Sequence, residues 1–348
     1  MTLDLHAVIL DGTKAPSGEN CQPWRFVVKN RDIYVYNDPH ADVSLYNTAQ
    51  KGSFVAIGAC IENMVLSARE KRFEAGVNLF PNDQDANLVA VIRFSQGAAF
   101  DPLYRWIHDR CTNRREYEDT PLTQVQKQLL IQTARNAGVD ARIVDGKDMS
   151  VLGQAVAVNE RVLFENRALH DFFYQHLLWD KNEQCDRSGF YIETLEFLPR
   201  QLKAVKLLSS WTLLKFLNAT IGIGNKIASE NAAKYIHGSM LAIMVNGRAP
   251  QDFVRAGRAL ERIWLTATQF GLAIHPCTGV LYLYERIIDG DGDVFSPLHR
   301  SLIEKAYLDI QGAFGATGRA IPMLMRIGHA TQPSARSDRF PLPRVMKT

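Results

Sequence analysis

An internal repeat constrains the fold of this chain more than any other feature. The segment GACIENMVLSAREKRF, which begins at Gly58, aligns without gaps to GRALERIWLTATQFGL, which begins at Gly257. Four aligned positions are identical, including the two glycines and the pair Glu62 and Glu261. Chance similarity between amphipathic helices is the competing explanation. Because each helix lies near apolar, strand-like runs, two copies of one α+β unit explain the pattern better.

The periodicity of apolar residues predicts the elements around the repeat. In the first half we expect helices over 4–15 and 49–73, and strands over 24–28, 32–38, 75–80 and 87–94. In the second half we expect helices from Thr120-Pro121 to Gly138 and over 151–180, 251–271 and 297–310. The strands expected there are 141–144, 239–246, 281–284 and 322–328.

The segment 183–236 has no counterpart in the first half. It is apolar with interspersed lysines, most clearly over 199–217. Such a segment fits a lid over a ligand, a helical hairpin in an interface, or a helix that makes peripheral contact with a membrane surface. Packing onto its own protein is the simplest interpretation, and a lid is a special case of it.

Composition narrows the classes of function. A net charge of only +3 argues against a broad nucleic-acid surface, although a few clustered arginines can still bind a small anion. Five scattered cysteines without a CxxC pair argue against a metal site and suit a reducing cytoplasm. No apolar run is long enough for an integral membrane segment. We therefore expect a cytoplasmic protein with a small-molecule partner, and neither nucleic acid nor metal.

A polar loop carries the sharpest local signal. The stretch KAPSGENCQPWRF, residues 14–26, combines turn-forming residues with short polar side chains between a helix and a strand. Such a loop can place a hydroxyl, an amide and backbone groups against a flat heteroaromatic edge, and an ordinary connection is the alternative. It resembles the PSxxNxQPW signature of the FMN-dependent nitroreductase family. The matching positions are Pro16, Ser17, Asn20, Gln22, Pro23 and Trp24.

In that family the loop contacts the flavin from the subunit opposite the one that holds the phosphate. The family's basic phosphate motif is absent ahead of the loop, and a similar cluster, RCTNRREY, stands at 110–117 instead. Guanidinium groups and short polar side chains bind phosphate well, whereas a solvated surface run is the alternative. The resemblance implies FMN contacts from Arg110, Thr112, Asn113, Arg114 and Arg115, with Arg114 or Arg115 at the pyrimidine edge.

Two later segments resemble further parts of the family's site. The ending ARSDRFPLPRVM matches the segment whose basic residues clamp the phosphate, here Arg336 and Arg339. The stretch GLAIHPCTGV matches the loop that offers a backbone N–H to the N5 edge of the flavin. The resemblance makes Cys277, Thr278 and Gly279 the candidates for that donor. It requires no side-chain acid or base.

Each half thus keeps what the other lacks, so the resemblance is to the long single-chain tandem branch of the family. It implies an α+β, nitroreductase-like fold in which two repeats, each a mixed sheet flanked by helices, form an intrachain pseudo-dimer. The repeats would be 1–109 and 110–348, with 183–236 as a helical lid insertion. The molecule would be a monomeric pseudo-dimer or a homodimer.

The resemblance also implies a ping-pong activity. Electrons would pass from NAD(P)H, or another donor, through FMN to a nitro compound, a quinone or a similar acceptor. Two alternatives stay open: a protein that sequesters FMN beneath its lid with little turnover, and a biosynthetic FMN-dependent dehydrogenase.

Overall fold

The computed structural model describes residues 2–347. In the first half the elements are α1 (Leu5–Gly12), β1 (Trp24–Lys29), β2 (Asp32–Asn37), α2 (Lys51–Glu70), β3 (Phe73–Leu79) and β4 (Leu88–Gln96). The second half begins with α3 (Gln124–Asn136), β5 (Asp140–Val144), α4 (Met149–Glu165), α5 (Arg167–Gln175), β6 (Leu177–Leu178), α6 (Glu183–Asp186) and β7 (Phe190–Tyr191). It continues with α7 (Pro199–Leu207), α8 (Trp211–Ile221), α9 (Ile223–Lys234), β8 (Ser239–Val245), α10 (Pro250–Gln269) and β9 (Ala273–Pro276). The last elements are α11 (Gly279–Ile288), α12 (Pro297–Phe314), β10 (Ala320–Gly328) and α13 (Leu342–Val345).

The two halves contain four-stranded sheets with the same strand order. The first sheet runs β1-β2-β4-β3 and the second runs β5-β8-β10-β9. The long helix of the sequence repeat follows the second strand in both sheets, as α2 and as α10. The α+β content predicted from the sequence is therefore confirmed, and the similarity between the two halves includes the strand order of their sheets.

The prediction of mixed sheets is wrong. Every strand pair in the two four-stranded sheets is antiparallel. In the first sheet a two-residue turn at Asn30 and Arg31, both with positive φ, reverses the chain between β1 and β2. Parallel contact at this sheet is limited to an isolated bridge between Phe26 and Met346, where the C-terminal segment lies beside β1.

Local capping explains two differences in helix boundaries. The helix predicted from Thr120 begins at Gln124, because Thr123 forms a capping box with Gln126. The single helix predicted over 151–180 is divided into α4 and α5. Asn166 ends the first of these and caps the second, since its side chain accepts a hydrogen bond from the Leu169 N–H.

The strand predicted over 281–284 is wrong, because these residues lie inside α11. A short apolar run has no periodicity that separates a strand from a buried helix. Tertiary packing decides the outcome, since the buried side chains of Val280, Leu281 and Leu283 belong to a core formed by α4, α12 and the strands β8 and β10.

The repeated helices cross at their shared glycine. A Cβ added to Gly58 would lie 2.1 Å from the carbonyl oxygen of Val254, and one added to Gly257 would lie 2.0 Å from that of Val55. The two valines are themselves aligned in the repeat. Because each helix makes the same contact with the other, the crossing has the reciprocity of a two-fold interface.

The crossing of α2 and α10 lies within a hydrophobic core shared by the two halves. Trp24 and Phe26 of the first half belong to the same buried cluster as Phe253 and Trp264 of the second. The segment 183–236 folds into four helices with a short strand and packs beside α4 and α5. Within residues 2–347, no helix is both long and apolar enough to cross a lipid bilayer.

The glycine crossing gives a stability prediction. Gly257→Ala places a methyl group against the Val55 carbonyl, so we expect the free energy of unfolding to fall by about 3 kcal/mol. Gly58→Ala should do the same. Gly312→Ala is the control, because this helical glycine has open space where a Cβ would lie, and it should raise stability by up to about 1 kcal/mol. Urea denaturation of the three variants measures the difference, and equal midpoints would contradict the crossing.

Candidate ligand-binding site

A cavity of about 800 Å³ lies between the two halves, a volume typical of small-molecule sites. Most of the predicted site residues line it, although they come from four distant parts of the chain. Those lining it are Pro16, Ser17, Asn20, Arg110, Thr112, Arg114, Cys277, Thr278, Gly279, Arg336 and Arg339. The predicted residues that do not line it are Gln22, Asn113 and Arg115.

The polar loop has an uncommon backbone. Glu19, Asn20 and Gln22 all have positive φ, at 45°, 56° and 51°, and none of them is glycine. Such residues persist only where the surroundings hold them. Gln22 is buried and binds the chain itself, because its N–H donates to Ser17 Oγ at 3.0 Å and its Oε1 accepts from the Phe340 N–H at 2.9 Å. It therefore shapes the loop from behind the cavity.

Arg339 joins the loop to the C-terminal segment. Its Nη1 donates to Asn20 Oδ1 at 2.9 Å, and the Asn20 amide donates in return to the Asp338 carbonyl at 2.9 Å. Its Nε and Nη2 donate to the carbonyls of Thr13 and Ala15 at 2.9 and 3.0 Å. These bonds engage most of the guanidinium, so the group predicted to clamp a phosphate also fixes the loop.

Arg110 lies on the same carbonyl cluster. Its Nη2 donates to the Lys14 carbonyl at 2.7 Å, and its guanidinium lies 4.6 Å from the centre of the Trp264 ring. Its Nε is 3.3 Å from Glu261 Oε1, and both side chains are buried. Burial, only partly offset by the Arg110 charge, raises the pKa of Glu261 to about 7.

This end of the cavity carries uncompensated positive charge. Burial, together with the neighbouring Arg110 charge, lowers the pKa of Arg339 to about 9. Arg110 is buried and Arg339 is half-buried, and the negative charges that act on Arg339 are Glu261, whose own pKa is raised, and the exposed Asp338. Lys14 and Arg336 line the same cavity. A bound anion such as a phosphate would relieve this repulsion through charge-assisted hydrogen bonds.

The two neighbouring arginines of the 110–117 cluster point to different places. Arg114 lines the cavity, and its Nη1 donates to the Thr194 carbonyl at 3.0 Å. Among residues 2–347, no carboxylate lies within 4.0 Å of its guanidinium nitrogens, which leaves donors for a ligand. Arg115 instead donates to Ser334 Oγ at 2.5 Å and pairs with Glu196. Asn113 is buried and donates to the Thr331 carbonyl.

The N-terminus of α11 also faces the cavity. The Cys277 N–H is used by the Leu324 carbonyl at 2.8 Å, so it is not free to donate to a ligand. The N–H groups of Thr278, the N-cap residue, and Gly279, the first residue of α11, have no acceptor within the described part of the chain. A Cβ at position 279 would lie 2.2 Å from Asn159 Oδ1, so glycine is needed there.

Two side chains beside the cavity, Cys277 and His275, lack the chemistry that catalysis by a side chain would need. Burial raises the pKa of the Cys277 thiol to about 12, which keeps it from acting as a thiolate nucleophile. Burial and the Arg114 charge lower the pKa of His275 well below its ordinary value, so the ring is neutral. Within residues 2–347, no cluster of side chains suited to a metal ion occurs.

Several lining residues were missed by the sequence analysis. Tyr46 precedes α2, while Asn159 and Glu160 lie on α4. Residues of the 183–236 segment, among them Phe190 and Tyr235, form another wall. No motif or spacing marks these positions, because only the packing of α4 and the inserted segment brings them to the cavity.

Comparisons with known proteins give distant relatives. No family model matches this chain. An uncharacterised protein of Mycobacterium tuberculosis (strain CDC 1551 / Oshkosh) is 27% identical over 332 residues, which are 94% of this chain and 46% of that protein. A putative NAD(P)H nitroreductase of the same strain is 28% identical over 159 residues, covering 44% of this chain and 46% of that protein. The chain therefore spans about half the length of the curated relatives it matches.

Solved structures of low similarity are also found. A nitroreductase-like family protein from Bacillus cereus has a TM-score of 0.37 and 13% identity, covering 72% of this chain and 97% of that one. An FMN-dependent nitroreductase from Mycobacterium smegmatis, in complex with NADPH, has a TM-score of 0.39 and 13% identity, covering 70% and 96%. Scores this low add nothing to what the strand order and the cavity establish.

The geometry of Arg339 gives a second prediction. Arg339→Lys keeps the charge but cannot reach the carbonyls and Asn20 together, so we expect a loss of about 2 kcal/mol in unfolding free energy. Hydrogen exchange at residues 17–22 should become faster. Arg336→Lys is the control, because this exposed side chain makes one hydrogen bond, to the His108 carbonyl. If the two variants exchanged alike in the loop, Arg339 would not be its clamp.

Proposed function

We propose that this chain binds one FMN in the cavity between its halves and acts as an oxidoreductase of the nitroreductase type. One observation carries the proposal. Asn20, from the polar loop, is hydrogen bonded to Arg339 of the C-terminal segment at the edge of a cavity that also contains Arg110 and Arg114. A signature loop and a set of arginines separated by most of the chain thus meet at one site.

The residues present fit FMN in two respects. The end lined by Lys14, Arg110 and Arg336 has the excess positive charge that a phosphate monoester requires. At the other contact, the unpaired N–H groups of Thr278 and Gly279 suit the N5 edge of a flavin ring. Arg114, rather than Arg115, is our choice for the pyrimidine edge, because only Arg114 lines the cavity.

We further propose that the two halves, 1–109 and 110–348, form an intrachain pseudo-dimer. The shared strand order and the reciprocal contacts of Gly58 and Gly257 support it. The first half then contributes the polar loop and the second half the arginines, so the two halves together form a single flavin site. The segment 183–236 is our candidate lid, because Phe190 and Tyr235 line the cavity and would exclude water from it.

Bound FMN would supply hydride transfer, with NAD(P)H as electron donor and a nitro compound or quinone as acceptor. The chain's own residues would position the flavin ring and determine the charge around it. The Arg114 charge would favour a reduced, anionic ring, and the N-terminus of α11 would stabilise negative charge near it. The 28% identity to a putative NAD(P)H nitroreductase agrees with this proposal.

Preference for FMN over riboflavin tests the charged end directly. We expect the Kd for FMN to be at least about tenfold lower, since each charge-assisted phosphate contact contributes about 1.5–3 kcal/mol. Lys14→Ala and Arg336→Ala should each reduce that preference about tenfold and leave riboflavin binding unchanged. Lys29→Ala is the control, because this exposed lysine does not line the cavity. Equal affinity of the wild-type protein for the two flavins would contradict the phosphate site.

A flavin-sequestering protein is the second candidate, favoured by the wall that the 183–236 segment builds over the cavity. An experiment under argon separates the two functions. The FMN-loaded protein is mixed with NADPH, and the absorbance of the flavin is recorded over time. Rapid bleaching supports the oxidoreductase. Tight FMN that stays oxidised in both NADPH and NADH supports sequestration.

A further inference from the structure

One wall of the cavity carries three polar atoms without partners. Tyr46 Oη, Asn159 Oδ1 and Glu160 Oε2 are each shielded from bulk solvent and make no hydrogen bond of suitable geometry, although the Asn159 side chain lies close to the Tyr46 hydroxyl. All three residues line the cavity. Buried polar atoms are normally paired, because an unpaired one costs about 1–3 kcal/mol. Three together therefore point to a ligand that completes them.

This wall, the Tyr46–Asn159–Glu160 wall, stands beside the proposed reaction site. Asn159 Oδ1 approaches so close to Gly279 that a Cβ there would be 2.2 Å away. Gly279 and Thr278 carry the free N–H groups assigned above to the flavin N5 edge. Glu160 follows Asn159 on α4 and also lines the cavity.

Only one group on this wall can exchange a proton near neutral pH. Burial raises the pKa of Glu160 to about 7, although the Lys234 charge on α9 lowers it somewhat. The Glu160 charge acts on Tyr46, Tyr235 and Cys277, and burial raises the pKa of each. A second carboxyl group, that of Glu19, lines the same cavity and acts on Tyr46, and burial raises its pKa well above the ordinary value. A carboxyl group of this kind is poised for general acid catalysis.

We infer that Glu160 Oε2 is the proton donor to the oxygen of a quinone bound against the Tyr46–Asn159–Glu160 wall. This inference rests on the proposed function, which supplies the reductant. A quinone gains a hydride from bound reduced FMN and one proton from Glu160, and leaves as the hydroquinone. The O–H bond of Glu160 breaks as the O–H bond of the product forms, and the carboxylate regains its proton from solvent.

The remaining atoms of the wall fit such an acceptor. A quinone presents neutral carbonyl oxygens, which accept hydrogen bonds from the Tyr46 hydroxyl and from a protonated Glu160. The hydroquinone presents hydroxyl donors, for which Asn159 Oδ1 is the free acceptor. Lys234 is exposed to solvent and also lines the cavity, so it marks the side from which Glu160 can be reprotonated.

Glu160→Gln, which keeps size and polarity but has no acidic proton, tests the inference. The FMN-loaded variant is first reduced with NADPH, and its reoxidation by 1,4-benzoquinone and by ferricyanide is followed separately. Benzoquinone reoxidation should slow about 100-fold, since quinone reduction needs a proton. Ferricyanide takes electrons alone, so its rate should stay unchanged. Equal rates with benzoquinone in variant and wild type would overturn the inference, as would equal slowing with both oxidants.

A readout independent of turnover is the infrared spectrum of the loaded protein. The wild type should show a protonated-carboxyl C=O band that titrates near pH 7 and is missing from Glu160→Gln. A second readout is the pH profile of the wild type. Its benzoquinone rate should fall as pH rises through about 7, because the donor loses its proton, while the ferricyanide rate stays level. Glu261 also has a pKa of about 7, so the fall must be absent from Glu160→Gln to belong to Glu160. A level benzoquinone profile would overturn the inference.

These outcomes separate this inference from the proposed function. A wild-type protein that fails to bind FMN, or whose FMN no donor reduces, contradicts the proposed function and with it the reductant for this step. A protein that binds and reduces FMN normally, yet is indifferent to Glu160→Gln, contradicts the proton donor alone.

Discussion

The close crossing of α2 and α10 is the contact on which the rest of the structure depends. Helix axes approach this closely only where no side chain intervenes, and Gly58 and Gly257 meet that condition from both sides. The crossing fixes how the two sheets face one another and therefore where the cavity opens. Because the contact is reciprocal, one backbone requirement explains an identical residue at two places in the sequence.

The same crossing places charge in the interior. Glu62 of α2 accepts hydrogen bonds from Arg258 and Arg262 of α10 at 2.8 Å. Among residues 2–347, one cation, Arg110, lies within 4.0 Å of the aligned Glu261 carboxylate, at the longer distance of 3.3 Å. The two aligned glutamates thus differ in their charged partners, although the glycine contacts of their helices are the same. On the Glu62 side the carboxylate is compensated twice. On the Glu261 side positive charge is left over, and this is the side on which the cavity lies.

The sequence predicted the features that depend on local chemistry. The helix repeat, most strands and the polar loop follow from periodicity and turn residues, and the arginine clusters were found because a family pattern marks them. Which arginine of a cluster faces the cavity could not be predicted. Whether Arg114 or Arg115 faces the cavity depends on the parallel bridge between Thr112 and Ile274, which fixes the rotation of this stretch.

Tertiary contacts determine the features that local sequence patterns did not predict. Gln22 belongs to the signature, yet its side chain is bonded to Phe340, a residue more than 300 positions away. The run 281–284 has strand-forming residues, but it lies within α11, which packs against α4, α12 and β10. No sequence pattern marked Glu160 as a site residue, because a glutamate on an amphipathic helix is usually solvated. Its importance follows only from the wall that Tyr46 and Asn159 complete.

The most direct measurement is a crystal structure of the protein grown with FMN. We expect one FMN per chain in the cavity, its phosphate towards Lys14 and Arg336 and its ring between Asn20 and the N-terminus of α11. FMN bound at another surface, or a cavity without flavin at saturating concentration, would contradict the shared site.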